Sequence, residues 1–141
     1  MTDIAFILDV VFRGTAPPAA LYYGLVKGTG FTGFNRSSDS MSSHPGWTEY
    51  TDYSEATRQR WIPGLVIGDY PAQVSDPTPA IITPTTTEGL IGIFLCDNST
   101  KGGSTGQLFG PWYFTGSSKT TSAGLPFKVG PLTVTNKLNT N

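Results

Sequence analysis

Apolar side chains occupy both parities of the stretch from Leu90 to Cys96. Leu90, Phe94 and Cys96 would point one way from a strand, and Ile91, Ile93 and Leu95 the other. Glu88-Gly89 and Asp97-Asn98 bound this run, so it predicts a strand covered on both faces, at the centre of a sandwich or beneath covering layers. The Gly-rich loop Asp97 to Gly103 leads into a second apolar run, Gln107 to Thr115. Two strands joined by such a loop predict an antiparallel β protein. Near the start of the chain the period changes. Ile4, Ile7, Leu8 and Val11 fall at i, i+3, i+4 and i+7, which marks one face of a short helix over Asp3 to Arg13. Thr2 can cap it, Asp3 and Arg13 suit the two ends of its dipole, and Gly14 can end it. Its β-branched residues leave a strand as the alternative.

Elsewhere the pattern is broken by turns. Leu21 to Lys27, entered through the stiff Ala16-Pro17-Pro18, reads as a strand with Leu21, Tyr23 and Leu25 on one face. Gly28 to Gly46 is turn-rich, with a polar and mobile centre from Arg36 to His44. Trp61 to Ile67 allows a short strand that Pro63 confines to an edge. Asp69 to Thr87 holds Pro71, Pro77, Pro79 and Pro84 and almost no charge. Prolines supply no ladder donors, so this stretch reads as an extended arm lying on a partner's surface. A last strand spans Phe127 to Thr135, interrupted at Gly130-Pro131, and Asn136 to Asn141 is a loose tail. The fold class expected is mainly β: a single antiparallel β-sandwich or jelly-roll-like domain with a short N-terminal helix and an extended Pro-rich arm.

Composition sharpens this picture. The 141 residues suffice for one domain with its own core. Seventeen glycines and 11 prolines favour short strands and turns over long helices. Only 13% of residues are charged, about half the ~25% usual in soluble domains, which fits a surface largely covered by neighbours. The net charge is −1 and no basic cluster exceeds Arg58-Gln59-Arg60, so direct nucleic-acid binding is not expected. No run reaches the roughly 18 apolar residues of a membrane span. Asp3 and Asp9 interrupt the first apolar stretch, which argues against a signal peptide and for synthesis and assembly in a cytosol.

The chemistry-bearing residues are few. Gly28-Thr-Gly-Phe-Thr-Gly33 matches a dinucleotide fingerprint, but no helical period follows its third glycine. His44 is the sole histidine and reads as a loop residue before Pro45-Gly46, without a nucleophile elbow to serve. Cys96 sits within the doubly apolar strand and reads as an inert core thiol. Asp97 to Gly102 begins like a calcium loop, but its twelfth position is Leu108 in place of Glu. Asn35 and Asn98 open glycosylation sequons that matter only in a secreted chain. No enzyme, no catalytic residue, no metal and no cofactor is expected. The block Trp47 to Trp61 stands apart. Tyr, Trp and Arg mark contact hot spots, so Trp47, Tyr50, Tyr53, Arg58, Arg60 and Trp61 are candidate partner contacts, joined by Pro77, Pro79 and Ile81 of the arm. The same aromatics could hold a sugar. Equally, the tryptophans could complete the core while the arginines pair with Glu49, Asp52 or Glu55.

The order of elements resembles that of small tailed-phage virion proteins. The shared outline is an N-terminal apolar helix, a Pro-preceded strand (here Pro18-Ala-Ala-Leu-Tyr-Tyr-Gly-Leu-Val26) and a Tyr/Arg/Trp block from Tyr50 to Trp61. A Gly-Ile-rich strand before a loop (Gly89 to Asn98), an aromatic strand and a closing Phe127-Lys-Val-Gly-Pro-Leu-Thr-Val134 complete it. Members of that family are described as tail-fibre-like or head-decorating. This chain departs from that outline in its long Pro-rich stretch from Asp69 to Thr87. Its size and arm also resemble those of phage capsid cement proteins, which are β-sandwich or jelly-roll modules. The resemblance implies a capsid decoration or cement protein on the outer surface of the virion. It would bind the major capsid protein, act as a homo-oligomer on the shell and stabilise the DNA-filled head. The alternative it leaves open is a tail or fibre component that binds a host receptor, possibly a glycan.

Overall fold

The computed structural model describes residues 3–68 and 73–135. A helix α1 (Asp3–Arg13) precedes ten strands: β1 (Leu21–Lys27), β2 (Glu49–Tyr50), β3 (Arg60–Trp61), β4 (Gln73–Ser75), β5 (Ala80–Ile82), β6 (Gly89–Cys96), β7 (Leu108–Tyr113), β8 (Lys119–Thr120), β9 (Phe127–Val129) and β10 (Thr133–Thr135). The mainly β character, the single short helix and the antiparallel pairing are those the hydrophobic pattern predicts. The helix, β1, β6 and β7 lie where expected, and the last strand is indeed split around Gly130-Pro131, into β9 and β10. The proposed Thr2 cap and the tail from Asn136 lie outside the described residues.

β6 is the axis of a six-stranded sheet of order β2-β1-β6-β7, in which β3 also pairs with β1 and β8 with β6. Its double apolar parity has a direct structural cause. On one side Leu90, Ile93 and Leu95 bury with Tyr23, Leu25, Tyr50, Tyr53, Trp61, Ile82 and Val129. On the other, Phe94 and Cys96 bury with Val26, Met41, Trp47 and Leu108. The first side is covered by two short ribbons, β4–β10 and β5–β9, and not by a broad second sheet. The loop carrying Phe31, Phe34, Met41 and Trp47 covers the second.

One residue changes sides. Strict alternation puts Leu90 with Phe94, but Val26 pairs with Gly92 and Lys27 with Leu90, which leaves Ile91 as a bulge. An extra residue reverses the parity beyond it, so Leu90 joins Ile93 and Leu95. A second irregularity opposite Phe94 accommodates Gly110-Pro111 within β7; a proline without an amide is tolerated there. Gly24, paired with Phe94, leaves room for the ring, since a Cβ at Gly24 would stand 1.9 Å from the ring's Cζ.

Asp69 to Ala72 of the Pro-rich stretch lie outside the described residues; from Gln73 onward it is extended, as expected, but it is not a free arm. β4 pairs with β10 and β5 with β9. Asp76, Ile82 and Pro84 are buried. Asp76 accepts the Tyr23 hydroxyl and the Thr78 amide, the latter at 2.7 Å. Pro77 and Pro79 lie between the two strands, each of which finds a partner from the chain's own C-terminal strands. Arg36 to His44, expected to be mobile, is a hydrogen-bonded turn cluster: Asp39 accepts the Trp47 indole N–H at 2.8 Å and the Asn35 amide at 2.9 Å.

Candidate functional site

The Tyr/Arg/Trp block is interior structure. Trp47, Tyr50, Tyr53, Arg58 and Trp61 are all buried, Arg58 to 1% exposure, and Arg60 alone of the six is exposed. The Arg58 guanidinium forms a two-point pair with Glu49, Nε to Oε1 at 2.8 Å and Nη2 to Oε2 at 2.6 Å. It also donates to the carbonyls of Asn98 at 2.7 Å and Gly103 at 3.1 Å. Glu49 accepts the Gly102 amide at 3.0 Å, so the pair fastens the β6–β7 loop to the 49–58 segment. Burial works against the charged guanidinium, yet the Glu49 carboxylate outweighs it and holds Arg58 above its ordinary pKa. Lys101 reinforces the fastening, donating to the carbonyls of Tyr53 and Glu55 at 2.6 and 2.9 Å and lying 4.3 Å from the Tyr53 ring centroid. Of the readings left open for the block, core completion with an Arg58–Glu49 pair is the one found. The buried rings offer no face to a sugar or a partner.

The other candidates disperse. Pro77 and Ile81 are exposed and Pro79 half-buried, on a segment fastened to the chain's own core. His44 is half-buried, stacks on Trp47 at 3.9 Å and faces the Trp47 carbonyl through Nδ1 at 2.9 Å. Cys96 is buried, and burial raises its thiol pKa despite the adjacent Arg58. The glycines at 28–33 form a turn whose Thr32 and Gly33 amides bond to the Gly46 carbonyl. Among the described residues no group of three or more His, Cys, Asp or Glu side chains could hold a metal, and no helix is long and apolar enough to cross a membrane.

What the structure does present is apolar surface. Around α1 at 100° per residue, the run Val10, Ile7, Val11, Leu8, Phe12 occupies an arc of about 200°, twice the ~100° stripe of an ordinary surface helix. Only part of that arc is used. Ile7, Val10 and Val11 form one wall of a groove of about 310 Å³, with Pro17, Leu21, Trp61, Val74, Phe109 and Val134 among its other walls. Leu8 and Phe12 point elsewhere and are 49% and 77% exposed, while Ile7 and Val11 are themselves 53% and 64% exposed. Asp9 and Arg13, paired at 3.4 Å, define the narrow polar face. A second apolar element lies beyond β3: Ile62, Leu65, Val66 and Ile67 are 58–88% exposed. That strip runs beside β4, with the Gly64 amide on the Ser75 carbonyl and Ile67 exchanging both backbone bonds with Gln73.

The sequence predicts α1 as a helical face and Trp61 to Ile67 as a short edge strand, of which only Trp61 belongs to a strand (β3); neither is read there as a contact surface, though signals exist. Phe12 widens the helical stripe beyond what one groove needs, and Trp61 to Gly68 contains no charge. Compared with family models, curated proteins and solved structures, the chain shows no significant match.

Proposed function

We propose that this protein is a bacteriophage capsid decoration protein that binds across major capsid subunits and stabilises the DNA-filled head. The observation that carries the reading is the exposed apolar face of α1 beside its groove, in a chain with 13% charged residues. Apolar surface of this extent, bordered by little charge, belongs to a contact site, and an interface of this kind is a means of attachment, not of turnover. The element order shared with small tailed-phage virion proteins supplies the setting. The mechanism is mass action: a protein that binds only the assembled shell stabilises it against the disassembled subunits, and many copies repeat the gain. The interior of the domain suits the role, since both faces of its central strand are packed and its β6–β7 loop is fastened by a buried ion pair.

The deciding experiment compares complete particles with particles lacking the protein. Depleted shells should rupture or release DNA at a lower temperature, and purified protein added back should restore them and decorate the head in electron micrographs. Depleted shells as robust as complete ones, with labelled protein at the tail tip, would transfer the protein to the tail or fibre and to a receptor.

A further inference from the structure

A hollow of about 350 Å³ opens between the end of β7 and the C-terminal segment from β9 onward. Leu25, Ile93 and Val129, all buried, lie at its base. Trp112, Phe114, Phe127 and Leu132 wall it. Each packs against the core yet stays only half-buried, which leaves ring and aliphatic surface on the hollow. The charged residues that line it are both lysines. Lys119 and Lys128 are exposed, and neither ammonium has a hydrogen-bond or ion-pair partner among the described residues. Lys128 alternates with Phe127 and Val129 along β9, so it serves the mouth of the hollow and not its floor. Arg36, 5.9 Å from the Trp112 ring centroid, adds a third cation nearby. No carboxylate lines the hollow. Asp76, which bonds to Tyr23 behind Gly130, is buried and holds the Tyr23 hydroxyl and the Thr78 amide.

Hollows of this size that combine apolar walls with a few polar groups are the usual form of a ligand site, and the sign of those groups selects the ligand's charge. We propose that this one binds a small aromatic carboxylate, with its rings among Trp112, Phe114 and Phe127 and its carboxylate at Lys119. Aromatic walls take a flat ring edge to face or offset-stacked, and an ammonium without a partner gains one. Two other anions fit less well. An acidic sugar carries several hydroxyls that need partners on burial. The lining side chains offer it the hydroxyls of Thr115 and Tyr113 alone, and the Tyr113 ring packs against Phe31 and Phe34. A phosphate favours an arginine fork, and no arginine lines the hollow. The inference is independent of the role proposed on a shell, and it is measured on the purified chain.

The test is isothermal titration calorimetry of the full chain with naphthalene-2-carboxylate, compared with naphthalene-2-carboxamide and with glucuronate. One carboxylate per chain is expected, with a dissociation constant of about 0.1–1 mM. The carboxamide has the same rings without the charge and should bind at least threefold more weakly, the scale of one exposed ion pair. Glucuronate should give no measurable heat. Lys119→Glu should weaken the carboxylate at least fivefold, leave the carboxamide unaffected and keep the melting temperature. A merely structural effect would weaken both ligands alike. Nuclear Overhauser contacts from the naphthalene protons should reach the Trp112 and Phe114 rings. Should Lys119→Glu fail to fold, the carboxamide comparison and these contacts, both on the native chain, decide alone. Absence of binding at about 5 mM carboxylate overturns the proposal. So does a carboxamide that binds as tightly, glucuronate binding in place of the aromatic acid, or Lys119→Glu weakening both ligands alike or neither. Contacts to Ile7 and Val11 in place of Trp112 and Phe114 would put the ligand in the α1 groove and overturn it too.

Discussion

Removing Arg58 would strand a carboxylate inside the fold. Glu49 is 7% exposed, and its partners are the Arg58 guanidinium and the Gly102 amide. Breaking a buried pair at one end costs about 3–5 kcal/mol, whereas replacing both ends with apolar groups of similar volume can be near neutral. We therefore expect Arg58→Met to lose about that much in urea unfolding and Arg58→Met/Glu49→Met to recover a good part of it. A double variant as unstable as the single would mean that the carbonyls of Asn98 and Gly103, left without a donor, dominate. The pairing of an arginine with Glu49 was one of the options legible in the sequence. That the arginine was Arg58 and not Arg60 was not, because strand parity over a two-residue strand is invisible to any periodicity. A second residue sets an acid limb. Burial pushes the Glu55 carboxyl up, but hydrogen bonds from the Thr83 amide and the nearby Lys101 outweigh it and bring the pKa below its ordinary 4.5. A carboxylate held below its unfolded pKa contributes stability above that value and loses it as pH falls through the folded one. Melting temperature should therefore drop more steeply below about pH 4.5 in the native chain than in Glu55→Gln; parallel curves would show that Glu55 contributes nothing.

Among the elements, β1 and β6 were readable in outline because each is long enough to show its period, and β6 because apolar residues of both parities left it only a central place. The ribbons were not. β4, β5, β9 and β10 are three residues each, and prolines at 77, 79 and 84 resemble an arm's composition whether the stretch lies on a partner or on its own chain. What decides between the two is a tertiary pairing with strands some 50 residues away, a contact that no local pattern encodes. The correction has a consequence for truncation. Deleting Ser75 to Pro84 removes β5, the Asp76 acceptor of Tyr23 and the buried Ile82 and Pro84. It also leaves β9 without its partner. We expect the deleted chain to lose its cooperative thermal transition or to melt far below the native one in circular dichroism. A melting temperature close to that of the intact chain would restore the free arm.

For the whole molecule, the balance between apolar and charged surface should set how attachment responds to salt. Exposed charges are screened beyond about 10 Å at 0.1 M ionic strength, so a contact steered by them weakens by decades as salt rises. Burial of apolar surface is not screened and is, if anything, strengthened by salting-out ions. The surface beside the groove carries Ile7, Leu8, Val11 and Phe12, with Asp9 and Arg13 of the same helix paired to each other, and the chain's net charge is −1. Labelled protein should therefore co-sediment with depleted shells about as well at 1 M sodium chloride as at 0.05 M, where the Debye length changes from roughly 3 Å to more than 10 Å. Phe12→Glu should weaken that attachment at least tenfold. It should leave the protein's own melting temperature within a degree or two, because a side chain 77% exposed supports little of the fold. The two measurements separate the possible failures. Salt-sensitive attachment with normal loading by Phe12→Glu would move the contact to a charged face elsewhere on the domain. Attachment lost together with the melting transition would make α1 part of the core and not of the interface. Salt-resistant attachment that Phe12→Glu abolishes in a fully folded protein is the outcome that the exposed arc of α1 requires.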